Sequence, residues 1–324
     1  MSGLSSRQIR MTPLILDAIT PLLALAMVAG AITAPPAEAA EDTAEPTQLM
    51  IRCDDVGMCH GVNTAVRELL ATGLPFSTSV MFACPWYREA VEILKDHPEV
   101  GVGVHLTLNS EWEHYKWGPV LGAARVPSLV DANGHLHPSE AEFAAARPDL
   151  EEVRAELEAQ IERALASGLR IDYIDFHMLT AVSTPELQAI VEQLAAKHQL
   201  GISRYFGERS VSLWDVAPGR KLPRLLEFVR QAPPGLNLVV LHLGTDSPEM
   251  AALVDLNYAA DPFRVAIHRQ AELDAVTSPA FRGTLDERGI ELLTYRDLVQ
   301  RRGLAAIVAP AQITSYSTTF AENP

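Results

Sequence analysis

Cysteine is almost absent from this chain: Cys53, Cys59 and Cys84 are the three among 324 residues. That number cannot build a disulfide framework, and the spacing lacks the paired pattern of a structural zinc site. One bridge at most is open to them. Cys53 with Cys84 is the pairing to test, because both fall at the ends of predicted strands, and three buried free thiols are the simpler expectation. Basic residues are also scarce. Lys plus Arg number 26 against 41 Asp plus Glu, a formal net charge of -15, which argues against nucleic acid or an anionic membrane surface as the main partner. Long apolar runs are missing as well. The cleanest, Leu22 to Ala34, spans 13 residues, short of the roughly 20 that a spanning helix needs, and Asp17 and Pro21 block its extension upstream.

That short run has its own context. Arg7 and Arg10 precede it, and PPAEAAED follows with a small-residue Ala37-x-Ala39 site. The pattern reads as an export signal over 1–39, cleaved after Ala39, with a linker over 40–47. A periplasmic or extracellular protein with no stable membrane insertion after cleavage is expected. What remains is apolar enough, at 48% hydrophobic overall, to bury a large core.

From Gln48 onward short apolar runs alternate with longer amphipathic ones, the pattern of βα units around a parallel sheet. Strands are expected at 48–53, 77–82, 100–108, 171–177, 201–206, 236–244 and 290–295. Helices are expected at 61–73, 86–97, 150–168, 184–198, 223–231 and 281–289. About seven such units fit an α/β fold, a complete or distorted (β/α) barrel in one catalytic domain over 48–303. Residues 109–147 form a long insertion loop, and loops of that length in compact domains are commonly functional. A tail over 304–324 carries no recognisable function.

In barrels, ligands bind beyond the carboxyl ends of the strands. Here QLMIRC runs into Asp54-Asp55, VGVGV into His105, IDYI into Asp175 and His177, and LNLVVL into His242. Each alone has a dull reading as a cap, turn or hydrogen-bonded core residue. Four strands ending this way point instead to one divalent metal, Mg or Zn, held by two histidines and a carboxylate with a coordination position left open. The Asp-Asp pair can face one site only where its strand breaks, and Val56-Gly57 offers that break. One carboxylate then binds metal while the other accepts a proton from the metal-activated water. His242 is the candidate acid. Asp175, two residues before His177 on the same strand face, either orients a ligand or lines the site.

The segments CDDVGMCHGVN (53–63), GVGVHLTLNSEW (101–112), IDYIDFH (171–177), VVLHLG (239–244) and TSPAFRGTLDERGIELLTYRDL (277–298) resemble the YdjC-like carbohydrate deacetylase family, the chitooligosaccharide deacetylase group. The resemblance runs from Gln48 to Leu298. It implies a distorted (β/α) barrel and metal-dependent hydrolysis of N-acetyl groups on amino sugars. Carried over residue by residue, it makes Asp54 the base, Asp55, His105 and His177 the metal ligands, and His242 the acid. Three departures stand out. His177 is followed by Met178-Leu179-Thr180-Ala181 rather than a His-rich run, the HPG motif is His242-Leu243-Gly244, and the usual Asn-Ala before the Asp pair is Arg52-Cys53.

Trp86, Trp112 and Trp117 fall close together, and Tyr115 joins two of them in SEWEHYKWGP. Flat rings with a polar edge suit pyranose faces, so Trp112, Tyr115 and Trp117 are candidate substrate contacts; simple packing of this segment over the barrel mouth is the equal alternative. His135 and His137 read as a solvated turn, and His97, His198 and His268, on helices or their ends, as surface residues. The expected partner is an acetylated carbohydrate, and assembly into a homo-oligomer stays open. An O-deacetylase, a metal-dependent phosphoester hydrolase and a catalytically inactive carbohydrate-binding homologue are the rival readings.

Overall fold

A computed structural model describes residues 45–310 and 313; the expected export signal and most of the expected tail lie outside the described residues. Eight strands form one sheet: β1 (Thr47–Val56), β2 (Ser77–Val80), β3 (Gly101–Leu106), β4 (Tyr173–Phe176), β5 (Gly201–Ile202), β6 (Arg209–Ser212), β7 (Gly235–Leu241) and β8 (Glu291–Leu293). All pair in parallel, seven of them in the order 5-4-3-2-1-7-6. Sequential neighbours of this kind are the signature of a (β/α) barrel, and it is distorted in two ways. Among the described residues β5 and β6 do not pair. β8 also has no rank of its own. It pairs Gln48–Met50 of β1, while β2 takes Arg52, Cys53 and Val56 further along, and β7 holds the opposite edge from Thr47 to Cys53.

β2, β3, β4, β5 and β7 are buried along their whole length, as a parallel sheet covered by helices requires. Leu236, Leu238 and Val240 of β7 pack with Met50, Tyr173, Leu293 and Tyr295 in a small inner cluster, while the alternating Val239 and Leu241 join the large cluster toward the helices. Each such side chain, fully buried, contributes about 1.5–3 kcal/mol over exposure. The inner cluster explains Gly103 on β3: a Cβ there would lie 2.5 Å from the Tyr173 ring. Tyr173 in turn stacks on Tyr295 at 4.0 Å, closing the barrel floor beneath the site.

Helices follow their expected signals. Asp149 caps Leu150–Ala166 by accepting from the N–H groups of Glu151 and Glu152, and Thr184 caps Pro185–His198 with proline at the first turn. Three expectations need correction. The strand expected over 201–206 shrinks to Gly201–Ile202, because the chain turns at Arg204 (φ 70°). Its continuation, β6, reads RSVS, too short and polar to announce itself. The third is the helix Val265–Thr277: His268 is expected on a helix or its end, but none of the expected helix ranges includes it. Its buried face carries His268, Arg269 and Glu272, so the apolar periodicity that marks a helix is missing, and His268 is buried rather than exposed.

All three cysteines are free and buried, and burial pushes the thiols of Cys53 and Cys84 well up. The insertion over 109–147 carries a 3-10 turn, Pro127–Leu129, and a short helix, Glu140–Ala145. It buries Trp112, Trp117, Leu129, Leu136 and Phe143 against the barrel.

Candidate active site

The carboxyl ends of β1, β3, β4 and β7 open on a cavity of about 880 Å³ lined by Asp54, Asp55, His105, His177 and His242. The two aspartates reach it through a break in β1, although not at Val56-Gly57. The strand runs on through Val56, and its register against β2 shifts between Cys53 and Val56. Asp55 itself adopts φ 60°, a left-handed conformation that is costly for a residue other than glycine and tends to mark functional positions. The same device recurs after β4, where Met178 and Leu179, at φ 52° and 60°, follow His177 and line the cavity.

Three side chains converge on one point. Asp55 Oδ1 lies 3.3 Å from His105 Nε2 and 3.1 Å from His177 Nδ1. Behind each imidazole stands a second carboxylate: Asp175 Oδ2 is 3.0 Å from His105 Nδ1, and Glu111 Oε2 is 2.9 Å from His177 Nε2. Asp175 is the registered partner of His105 across β3 and β4. Asp55 Oδ2 is held by Arg269 Nη2 at 2.5 Å.

Asp54 faces a different cation. Arg52, two residues earlier and so on the same strand face, grips both its oxygens at 2.7 Å. The same guanidinium reaches Asp175 Oδ1 at 2.9 Å and is fully buried. One cation thus serves two carboxylates. Burial raises Asp54 to about 6 against the pull of Arg52, with Asp175 adding to the rise. Burial also works to raise Asp175, but Arg52 and His105 hold it below its ordinary value. For Asp55 burial is likewise outweighed by Arg269, His105 and His177, and its carboxyl is held low.

The histidines divide in the opposite sense. Burial acts to lower His105, but Asp54, Asp175 and Asp55 lift it to about 9. Burial acts the same way on His177, where Glu111 and Asp55 lift it to about 10. His242, with Nε2 4.0 Å from Asp54 Oδ2, is lowered to about 3, chiefly by burial and then by Arg269, His105 and Arg52, with Asp55 opposing. Its backbone N–H donates to Glu272 Oε2 at 2.6 Å, and Glu272 is itself paired with the buried Lys221. The helix Val265–Thr277 therefore touches the site twice, through Arg269 and Glu272. Gly244 lets it approach: a Cβ there would lie 3.0 Å from Arg269 Cβ.

Asp55, His105 and His177 form a donor set that fits a divalent ion. Their ligand atoms lie within 4.8 Å of one another, and each imidazole has a carboxylate on its far nitrogen, the arrangement that fixes tautomer and raises basicity in metal-binding histidines. A second grouping, Asp54, His105 and Asp175, also lies within that distance. It fits poorly, because Arg52 already occupies both oxygens of Asp54 and one of Asp175.

Of the aromatic candidates, Trp112 lines the cavity, with its Nε1 donating to Met58 Sδ at 3.2 Å. Tyr115 and Trp117 do not line it. The Tyr115 hydroxyl donates to the Met58 carbonyl and Trp117 Nε1 to the Asn109 carbonyl, so their polar edges are spent on holding the insertion in place. The rings at the mouth are instead Trp214 and Tyr258, which sequence reasoning missed together with Arg52, Glu111 and Arg269.

Barrel and cluster define the class: a (β/α)-barrel protein with a buried Asp-His-His centre at its mouth. A profile of the YdjC-like protein family matches residues 48–287. The chain is 31% identical over 262 residues to a carbohydrate deacetylase of Geobacillus stearothermophilus, covering 78% of this chain and 98% of that one. It is 28% identical over 272 residues to a carbohydrate deacetylase of Enterococcus faecalis, covering 78% and 98%. A crystal structure from Enterococcus faecalis V583, described as a cellobiose-phosphate cleavage protein, superposes with a TM-score of 0.64 at 26% identity, covering 78% of this chain and 99% of that one. The chain belongs to the YdjC-like family.

Proposed function

We propose that the protein is an exported, metal-dependent carbohydrate deacetylase that hydrolyses the N-acetyl group of an amino sugar or oligosaccharide. The observation that carries this reading is the convergence of Asp55, His105 and His177 on one point beside Asp54 and His242. A divalent ion held there, Zn or Mg, supplies Lewis acidity, polarising the acetamide carbonyl and lowering the pKa of water from 15.7 toward roughly 7.

The chain's own groups do the rest. Asp54 is the base: Arg52 fixes both its oxygens, and a value of about 6 leaves it ionised and basic enough to take a proton near neutrality. His242 is the acid that serves the leaving nitrogen. Its Nε2 lies 4.0 Å from Asp54 Oδ2, so acid and base stand side by side at the end of the cavity. Arg269 keeps Asp55 anionic. Trp112, Trp214 and Tyr258 offer the apolar faces against which a sugar ring packs.

The family's curated members named above are carbohydrate deacetylases, which supports the reaction class. The charged, apolar, small-residue order of residues 1–39 supports export. Acetate release from a panel of N-acetylated mono- and oligosaccharides tests the function. At least one should be cleaved in a chelator-sensitive way, and release from none of them contradicts the proposal. Amino-terminal sequencing of protein recovered outside the cytoplasm should begin at Ala40.

A further inference from the structure

The charges around the cavity say something about which sugar can enter. Asp54, Asp55, Glu111 and Asp255 line the cavity as buried carboxylates, and Glu140 and Asp215 as exposed ones. Against these carboxylates no lysine lines the cavity among the described residues, and Arg269, its lining arginine, is held by Asp55 at 2.5 Å. His105 and His177, which would hold the metal ion, are buried. Glu140 and Asp215 are exposed, so both present charge to an incoming ligand.

The wall beside Asp215 is tied together by hydrogen bonds and ring contacts. Trp214 Nε1 donates to the Tyr258 hydroxyl at 2.7 Å, and that hydroxyl donates to Asp215 Oδ1 at 2.9 Å. The Arg264 guanidinium stacks on the Tyr258 ring at 4.0 Å and donates to the Trp214 carbonyl. It stands 3.9 Å from Asp215 and offsets part of that charge, but it is buried behind the rings and does not line the cavity. The centroids of the Trp214 and His242 rings lie 4.9 Å apart. An apolar ring face therefore runs from the reacting end of the cavity to a carboxylate at its rim.

We propose that this mouth selects an uncharged or amino-bearing glycan and rejects a phosphorylated one, with Asp215 and Glu140 setting the preference; the inference rests on the deacetylase reading of the same site. A phosphate brought along the Trp214 face meets carboxylates, and among the described residues the one lining cation, Arg269, is already paired with Asp55; repulsion of like charges is an effective way of excluding a wrong ligand. A sugar whose acetyl groups have been removed gains instead, since its ammonium approaches the same carboxylates. The net charge of -15 puts a field of the same sign around the whole molecule.

The test titrates the full zinc-loaded chain with N,N′-diacetylchitobiose and with its 6-phosphate, followed by tryptophan fluorescence. The phosphorylated sugar should bind at least about tenfold more weakly at low ionic strength. The gap should narrow severalfold in Asp215→Asn, and also in Glu140→Gln, which disturbs no aromatic contact. Equal or tighter binding of the phosphorylated sugar overturns the proposal, as does binding of neither. Acetate release from the same samples separates the two readings. Selective binding without acetate sinks the deacetylase reading and keeps the selectivity, whereas equal kcat/KM on both sugars keeps the deacetylase and sinks the selectivity.

Discussion

Glu111 Oε2 lies 2.9 Å from His177 Nε2, on the side of the ring opposite Asp55. A buried carboxylate in that position fixes which nitrogen faces the ion and makes it a better donor. Glu111→Gln is therefore expected to weaken metal affinity about 10–100-fold. Competition against a chelating dye measures it. An unchanged dissociation constant would remove Glu111 from the site's supporting structure.

Arg52 serves Asp54 and Asp175 at once, and it is fully buried. Replacing it with methionine strands two carboxylates without their cation, which costs about 3–5 kcal/mol of stability. Lysine should rescue little, since a point charge cannot grip both oxygens of Asp54. Urea unfolding of the two variants checks this, and a loss below about 1 kcal/mol in Arg52→Met would contradict the pairing.

Asp54 must be ionised to take a proton, and its value is raised to about 6. Catalytic rate should accordingly fall as pH drops through that region and level off above it. Asp54→Asn should lower kcat by about 10²–10⁴-fold and erase the acidic limb from the residual activity. Persistence of the limb in that variant would assign it to another group.

In the metal-free protein, the folded-state values of His105 and His177 are raised to about 9 and about 10 from 6.5. Protons on these rings take the place of the ion in holding Asp55 and Glu111. Their stabilisation is fully present below about 6.5, the unfolded value. It is lost as pH rises through the folded values toward 10. Thermal melts of chelator-treated protein should show this decline, and saturating metal should flatten it. A metal-free protein equally stable from pH 6.5 to 10 would overturn the electrostatic account.

Much of the site was legible because a parallel barrel places the ends of its strands together. Asp54, Asp55, His105, Asp175, His177 and His242 all follow apolar runs, and all stand at the cavity or directly behind it. Arg52 was readable in principle: an arginine inside a buried strand, two residues before an aspartate, shares its face by the strand's period of two. Glu111, Trp214 and Tyr258 were not, since they sit on irregular segments whose course depends on tertiary packing. Arg269 was hidden for another reason. Its helix buries polar side chains, so the periodicity that finds helices was absent. Tyr115 and Trp117 mark the converse limit. Aromatic density in a sequence cannot distinguish rings that meet a ligand from rings that pin a loop, and these two pin the insertion.

The central claim is that Asp55, His105 and His177 share one ion while Asp54 stands beside it as a base. Metal content after dialysis of the native chain and four variants tests this most directly. The native protein and Asp54→Asn should each retain about one divalent ion per chain, whereas Asp55→Asn, His105→Ala and His177→Ala should retain far less. Full metal retention by His105→Ala and His177→Ala, or its loss in Asp54→Asn alone, would contradict the account.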